Sequence, residues 1–225
     1  MNNVKGYRDI KPGMRIAITA GSRGISSMQS TIRQIVCSLK EKGAEPFIIP
    51  CMGSHGGATA QGQIEVLENL GITEKTVGAP IRSTMDVVLI GTALNGRPVY
   101  IDRYAHEADG IVVVNRIKAH TSFRGKYESG LMKMMAIGLG KQKGAQHYHQ
   151  TGMNTFDQIV ETVGLEVIKK AKILFGVGIV DNSFAKPAEI EVIDSTDIPA
   201  READLLLKAR SEERRVGKEC RCRWS

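Results

Sequence analysis

Apolar residues follow two rhythms along this chain, short unbroken runs and helical stripes, and the two alternate from one end to the other. Residues 15–20 (RIAITA), 46–50 (PFIIP), 110–115 (GIVVVN) and 173–180 (ILFGVGIV) are runs without polar alternation. Runs of that kind fit strands covered on both faces, as in a parallel sheet. Between them lie stripes at helical spacing. Ile32, Ile35, Val36 and Leu39 precede Gly43, residues 60–70 precede Gly71, and residues 155–171 carry Phe156, Ile159, Val160, Val163, Val167 and Ile168. These predict amphipathic helices. Ser26 or Ser27 is placed to cap the first of them, and Pro199 to open a last helix. Residues 128–139 predict one more helix, residues 189–194 a further strand, and residues 87–92 and 98–102 a hairpin turned at Asn95-Gly96.

Strands that alternate with helices predict an α/β fold. We expect a doubly wound, mostly parallel sheet with helices on both faces, Rossmann-like, in a single domain over residues 1–210. No internal repeat or low-complexity linker divides it.

Composition narrows the partners. Aromatic residues make up only 5% of the chain, which argues against a surface that stacks bases. The net charge of +7 is spread along the sequence and forms no stripe, so it suits small anions better than nucleic acid. Part of it lies in residues 211–225 (SEERRVGKECRCRWS), which also hold the single Trp. That segment resembles translated sequencing-adapter read-through, so we expect it to be a non-native tail and a domain truncated at both ends. The N-terminus is polar, and no apolar run reaches the roughly 18 residues of a membrane span. We expect a cytoplasmic protein without a membrane partner, with Cys37 and Cys51 as reduced packing residues.

The candidate chemistry sits after the predicted strands. In an open parallel sheet, ligands bind outside the carboxyl ends of the strands. Three such ends carry ionisable groups: Arg23 in GSRG, His55 in MGSHGGAT, and His120 in NRIKAHTSFRG. Glycines flank His55 within Gly53-Ser54-His55-Gly56-Gly57 and let a ligand approach closely. An imidazole is the side chain suited to proton transfer near neutral pH. Arg23 enters a helix N-terminus, a place for a carboxylate or phosphate. Lys133 lies among Leu131, Met132, Met134, Met135, Ala136 and Ile137; buried, it becomes a nucleophile, and otherwise it reaches solvent or pairs with Glu128. His147 and His149 face one side if that segment is extended, a spacing that can serve a metal. The stretch from Gly138 through Gly140 to Gly144 (GLGKQKG) offers amides and two cations as an anion cradle, although it lacks the signature of a P-loop.

Taken in order, GSRG, MGSHGGAT, NRIKAHTSFRG, ESGLMKMMAIGLGKQKGA and the following YH resemble the N-terminal domain of the nickel-dependent lactate racemase family over nearly all of residues 10–210. The resemblance implies a nickel pincer nucleotide, a pyridinium mononucleotide whose sulfur and carbon atoms hold nickel. It implies covalent attachment of that cofactor at Lys133, nickel ligation by His149 with His147 as a less well-aligned neighbour, and a cofactor site that includes Gly53, Ser54, Gly138 and Gly140. It further implies that His55 and His120 are the acid/base pair and that Arg23 holds the substrate carboxylate. The implied reaction is racemisation or epimerisation of a 2-hydroxy acid by reversible hydride transfer, with a planar 2-keto acid between the two faces.

The sequence departs from the best-known members in three places. Ala20 stands where an acidic residue is expected three positions before the arginine. The segment between His120 and Lys133 is longer, with Phe123, Arg124 and Lys126. Gly130-Leu131-Met132 replaces a Gly-Gly before the lysine. These changes favour a hydroxy acid other than lactate, a larger or sugar-derived one. A second, C-terminal domain that supplies a further lysine and closes the cleft is implied but absent from this chain. Two other readings are a zinc hydrolase using His55, His120 and His149, and a non-catalytic anion-binding module built on the Gly138–Gly144 loop.

Overall fold

Two β-α units and their crossovers build one sheet, as the apolar runs require. The computed structural model describes residues 1–24, 27–121, 123–149, 156–182, 184 and 186–222. The elements in chain order are α1 (Lys5–Arg8), β1 (Arg15–Ala20), α2 (Met28–Glu41), β2 (Glu45–Pro50), α3 (Ala60–Asn69) and α4 (Glu74–Val77). A hairpin of β3 (Val87–Thr92) and β4 (Pro98–Asp102) leads through α5 (Arg103–Glu107) to β5 (Gly110–Arg116). Then come α6 (Leu131–Lys133), a π-helical turn (Met134–Gly138), α7 (Lys141–His149), α8 (Phe156–Lys170), β6 (Ile173–Asp181), β7 (Pro187–Asp194) and α9 (Ile198–Cys222).

The main sheet runs β2-β1-β5-β6-β7; its first four strands are parallel and β7 is antiparallel. Side chains alternate across it. Ile16, Ile18, Val112 and Val114 pack with Ile32, Ile35 and Leu39 of α2 on one face. Ala17, Ile111 and Val113 pack with Leu131, Met132, and Ile159 and Val163 of α8 on the other. Both faces are therefore covered, which is why these strands read as unbroken apolar runs. The β3-β4 hairpin forms its own small sheet beside this core.

The chain leaves β1 toward β2 on one side and later returns to β5 on the other, so the topological switch lies between β1 and β5. The backbone ladder between these strands ends at the pair Ile18 and Val112. Past it the buried Thr19 hydroxyl accepts from the Val114 N–H at 2.9 Å and stands 3.4 Å from its carbonyl. A side chain thus replaces backbone pairing where the crevice opens.

Several local expectations need correction. The helix expected over residues 128–139 begins only at Leu131, because Gly130 is extended and Glu128 is drawn into side-chain bonding with the preceding loop. Ser27 occupies the N-cap position of α2 without a side-chain bond to the helix, and Ser26 lies outside the described residues. Cys37 is exposed on α2 and does no core packing, whereas Cys51 is buried. Among the described residues, no helix is long and apolar enough to cross a membrane.

Candidate active site

Three strand ends and one helical turn deliver their side chains to a single cleft of about 230 Å³. After β1 it receives Gly21, Ser22 and Arg23; after β2, Cys51 to His55; from the end of β5 and the loop that follows it, Asn115 and His120. Lys133, Met134, Ile137 and Gly138 close the wall formed by α6 and the π turn, with Phe156 and Ala145 beside them. Arg23, His55, His120 and Lys133 therefore share one cavity, at the switch point of the sheet. Gly53, Ser54 and Gly138 also line it, but Gly140 does not.

The β2 loop reaches the cleft because its glycines take left-handed backbone angles. Gly53 has φ of +61°, and Gly56 (φ +66°) sits so close to α3 that a Cβ would meet the Gly62 carbonyl carbon at 2.6 Å. Gly138 is small for another reason: a Cβ there would stand 2.6 Å from the Met134 sulfur and 2.7 Å from the Cys51 carbonyl oxygen. Its lack of a side chain lets the π turn press against the end of β2. Such turns are frequent at functional sites.

Lys133 is aimed into the cleft by the elements behind it. Leu131 and Met132 are buried in the core. The carboxylate of Glu202, buried on α9, accepts from the Met132 N–H at 2.8 Å and anchors the first turn. The Lys133 ammonium lies 5.8 Å and 5.7 Å from the ring centres of Phe123 and Phe156. Burial first, then the positive charges of Arg23 and Lys118, bring its pKa down to about 8. The pairing with Glu128 does not form. That carboxylate is fully buried and accepts from the His120 N–H at 2.6 Å and the Gly125 N–H at 3.3 Å, and it is paired with Arg210. Burial raises its pKa, but these donors outweigh burial and hold it below the ordinary range.

Both cleft imidazoles are held below the ordinary histidine pKa. For His55 the causes are desolvation, then Arg23 and Lys133; for His120 they are desolvation and Lys133, opposed by Glu128. Each remains neutral at pH 7 and can take a proton. The His120 ring rests 4.3 Å, centre to centre, from that of Phe123.

The remaining candidates fall differently. Residues 147 and 149 lie in α7 and not in an extended segment, so the one-sided spacing expected of them does not form: two positions of a helix are about 200° apart around its axis. His147 is exposed and stacked on Tyr100 at 5.8 Å, away from the cleft. His149 closes α7, and its side chain lies outside the described residues. Among the described residues, no group of three or more His, Cys, Asp or Glu gathers as a metal site would. The Gly138–Gly144 stretch is no open cradle either: it forms the end of the π turn and the start of α7, and its Lys141 is fully buried in protein contacts. Glu128, Glu202, Asn115 and Lys118 were not among the expected site residues. Asn115 ends an apolar run and donates to the Gly130 carbonyl at 2.8 Å, a strand-end signal that was available in the sequence. Glu202 acts on Met132 across 70 positions, and Arg210 on Glu128 across 82, separations that no local pattern reveals.

An electropositive cleft with two neutral imidazoles and one low-pKa amine, at the carboxyl edge of a parallel sheet, defines an α/β protein equipped to bind a small anion and move protons on it. The lactate racemase N-terminal domain family matches residues 7–160, and the chain belongs to that family. Its fold is similar to that of the lactate racemase apoprotein from Thermoanaerobacterium thermosaccharolyticum, with a TM-score of 0.69 at 20% identity. That likeness covers 88% of this chain and 50% of the other, so the chain spans about half the length of the structure it matches. No match was found among the curated proteins.

Proposed function

We propose that this chain forms the cofactor-bearing part of a racemase or epimerase of a 2-hydroxy acid. The observation that carries the reading is the meeting of Arg23, His55, His120 and Lys133 in one cleft. A carboxylate entering it is attracted by the Arg23 guanidinium, which offers a fork of donors to both oxygens. His55 and His120 come from different strand ends, β2 and β5, so they approach a bound α-carbon from separate directions. Two neutral imidazoles suit a reaction run on both faces of a planar intermediate: one accepts the hydroxyl proton of one enantiomer, and the other returns a proton when the opposite face reacts.

The residues fit a nickel pincer nucleotide in two respects. Lys133 presents an amine whose pKa near 8 leaves a nucleophilic fraction at neutral pH, which formation of an amide or thioamide requires. Gly53, Ser54 and Gly138 contribute small residues to the lining it shares, and Arg23 adds positive charge for a phosphate. Lys133 would hold the group, and His149 would be its nickel ligand. When bound, that cofactor supplies the hydride acceptor and donor. We place Ala20, Phe123 and the longer 120–133 segment among the features that select a hydroxy acid other than lactate. A second domain is the partner that would close over the cleft, and a reducing cytoplasm is the compartment we assign, consistent with the free thiols of Cys37 and Cys51.

The test is direct. Co-expression with cofactor-making proteins should add mass at Lys133 and bring stoichiometric nickel, both absent from Lys133→Ala. The loaded enzyme, supplied with its second domain, should interconvert the enantiomers or epimers of at least one acid in a broad 2-hydroxy-acid panel. A loaded protein that acts on none of them would overturn the proposal.

A further inference from the structure

Behind the His55 loop, out of solvent, lies a buried polar cluster that the chemistry above does not use. Lys141 is fully buried, and its ammonium donates to the carbonyl of Pro50, the last residue of β2. It also donates to Gln63 Oε1 at 2.9 Å and pairs with Asp102 Oδ2 at 3.1 Å. Asp102, fully buried as well, uses Oδ1 to cap α5 through the Ala105 N–H at 3.1 Å. One side chain thus ties the end of β2, helix α3, the end of β4 and the start of α7. It does so from a left-handed backbone (φ +53°), which is unfavourable for a non-glycine residue and persists only when surrounding contacts over-determine it.

Gln63 passes this anchoring on to the cleft. An ammonium has donors only, so it fixes the Gln63 amide with Oε1 toward Lys141 and Nε2 toward the loop. Nε2 then donates to the Gly53 carbonyl at 2.9 Å and the His55 carbonyl at 3.2 Å. None of the backbone bonds between residues 52 and 59 is shorter than 3.2 Å: His55 N–H to Met52 at 3.2 Å, Ala58 N–H to His55 at 3.3 Å, Thr59 N–H to Gly56 at 3.3 Å. A loop rich in glycine has little intrinsic preference for one shape. Here the carbonyls of Gly53 and His55 are both held by one amide, itself held by one buried cation.

We propose that Lys141 and Gln63 are positioning residues for His55: the buried ammonium orients the Gln63 amide, and that amide clamps the carbonyls of Gly53 and His55 and fixes where the imidazole is delivered. The positional claim stands on geometry alone; its catalytic consequence rests on the acid/base role proposed for His55.

Gln63→Met tests it, since the variant keeps bulk and charge, leaves Lys141 with Pro50 and Asp102, and removes both donors to the loop. Amide hydrogen exchange over residues 53–58 should quicken by roughly ten-fold or more while strands β1, β2 and β5 keep their protection. The imidazole resonance of His55, assigned by its loss in His55→Ala, should broaden or shift, with that of His120 unmoved. Unchanged loop exchange and an unchanged His55 signal in folded Gln63→Met would overturn the proposal. Should that variant not fold, the unmodified chain decides. Slowly exchanging Gln63 side-chain protons with through-bond coupling to the carbonyls of Gly53 and His55 support the clamp, and their absence refutes it. In the loaded enzyme with its second domain, Gln63→Met should lower kcat by about ten-fold with KM little changed. A loosened loop with unaltered kcat would leave the clamp standing and remove His55 from the acid/base role.

Discussion

At the scale of single residues, the cleft is a problem in placing cations close together. Arg23 and Lys118 bear on Lys133, and Lys133 in turn bears on both imidazoles. The ammonium concedes, because burial already disfavours its charge and a guanidinium does not deprotonate. Lys133 should therefore react with an amine-selective acylating reagent along a titration centred near pH 8, below that of a lysine in a free model peptide, near pH 10. Peptide mapping by mass spectrometry over pH 6–11 reads this, and a Lys133 profile matching the model peptide would refute it. Arg23→Ala should raise that midpoint. The same coupling works in reverse: Lys133→Met removes a positive neighbour from His55 and His120, so both should titrate higher, as followed by their imidazole NMR signals. Residue types at the strand ends were enough to nominate Arg23, His55 and His120, and its place in an apolar helical run to nominate Lys133. They could not show that Glu128, five positions before the lysine, is spent on the His120 loop and Arg210, since that choice depends on a helix more than eighty residues away.

At the scale of elements, the turn that carries Lys133 is held by a neighbour in space. Glu202 of α9 is buried against its start, and a Cβ on Gly130 would meet that carboxylate at 2.3 Å. Burial raises the Glu202 pKa to about 7, although the amides of Met132 and Leu131 favour the ionised form. The folded protein thus binds this proton more tightly than the unfolded chain. The stabilisation is complete below the ordinary carboxyl range and disappears as pH rises through about 7. Glu202→Gln keeps an acceptor for the amides without the ionisable proton. Compared with the unmodified chain it should gain roughly 2–3 kcal/mol in relative stability between pH 5 and pH 8. Urea unfolding at the two pH values measures the difference, and a constant offset would refute the assignment. Element periodicity located β1, α2, β2, β5 and α8 within a residue or two, because their partners lie on one clear face. It failed between residues 128 and 149. There a π turn and a buried lysine break the 3.6-residue rhythm, and α7 has too weak an apolar stripe to announce itself.

At the scale of the whole molecule, the order of strands was legible only as a class. Unbroken apolar runs say that strands are covered on both faces, but not that β5 returns beside β1 or that β3 and β4 leave the sheet. That return makes the site, since it sets the loops after β1, β2 and β5 side by side. The last helix completes it from the opposite end of the chain. The buried described side chains of α9 run from Ile198 to Ala209, and Arg210 then reaches Glu128, which receives the His120 N–H. A chain ended after Glu212 keeps every one of these contacts and should unfold at the same denaturant concentration as the 225-residue chain. A chain ended after Lys208 loses the Ala209 packing and leaves a buried carboxylate short of its guanidinium. It should lose about 1–3 kcal/mol, the usual cost of stranding a buried charged acceptor when the lost partner is itself partly exposed. The loss should be local as well as global. Amide exchange over residues 120–128 should rise more than that of β1 or β5, because the His120 loop is tied down by Glu128 and Glu128 by Arg210. Equal stability of the two shortened chains would show that α9 serves the sheet and does not reach the site.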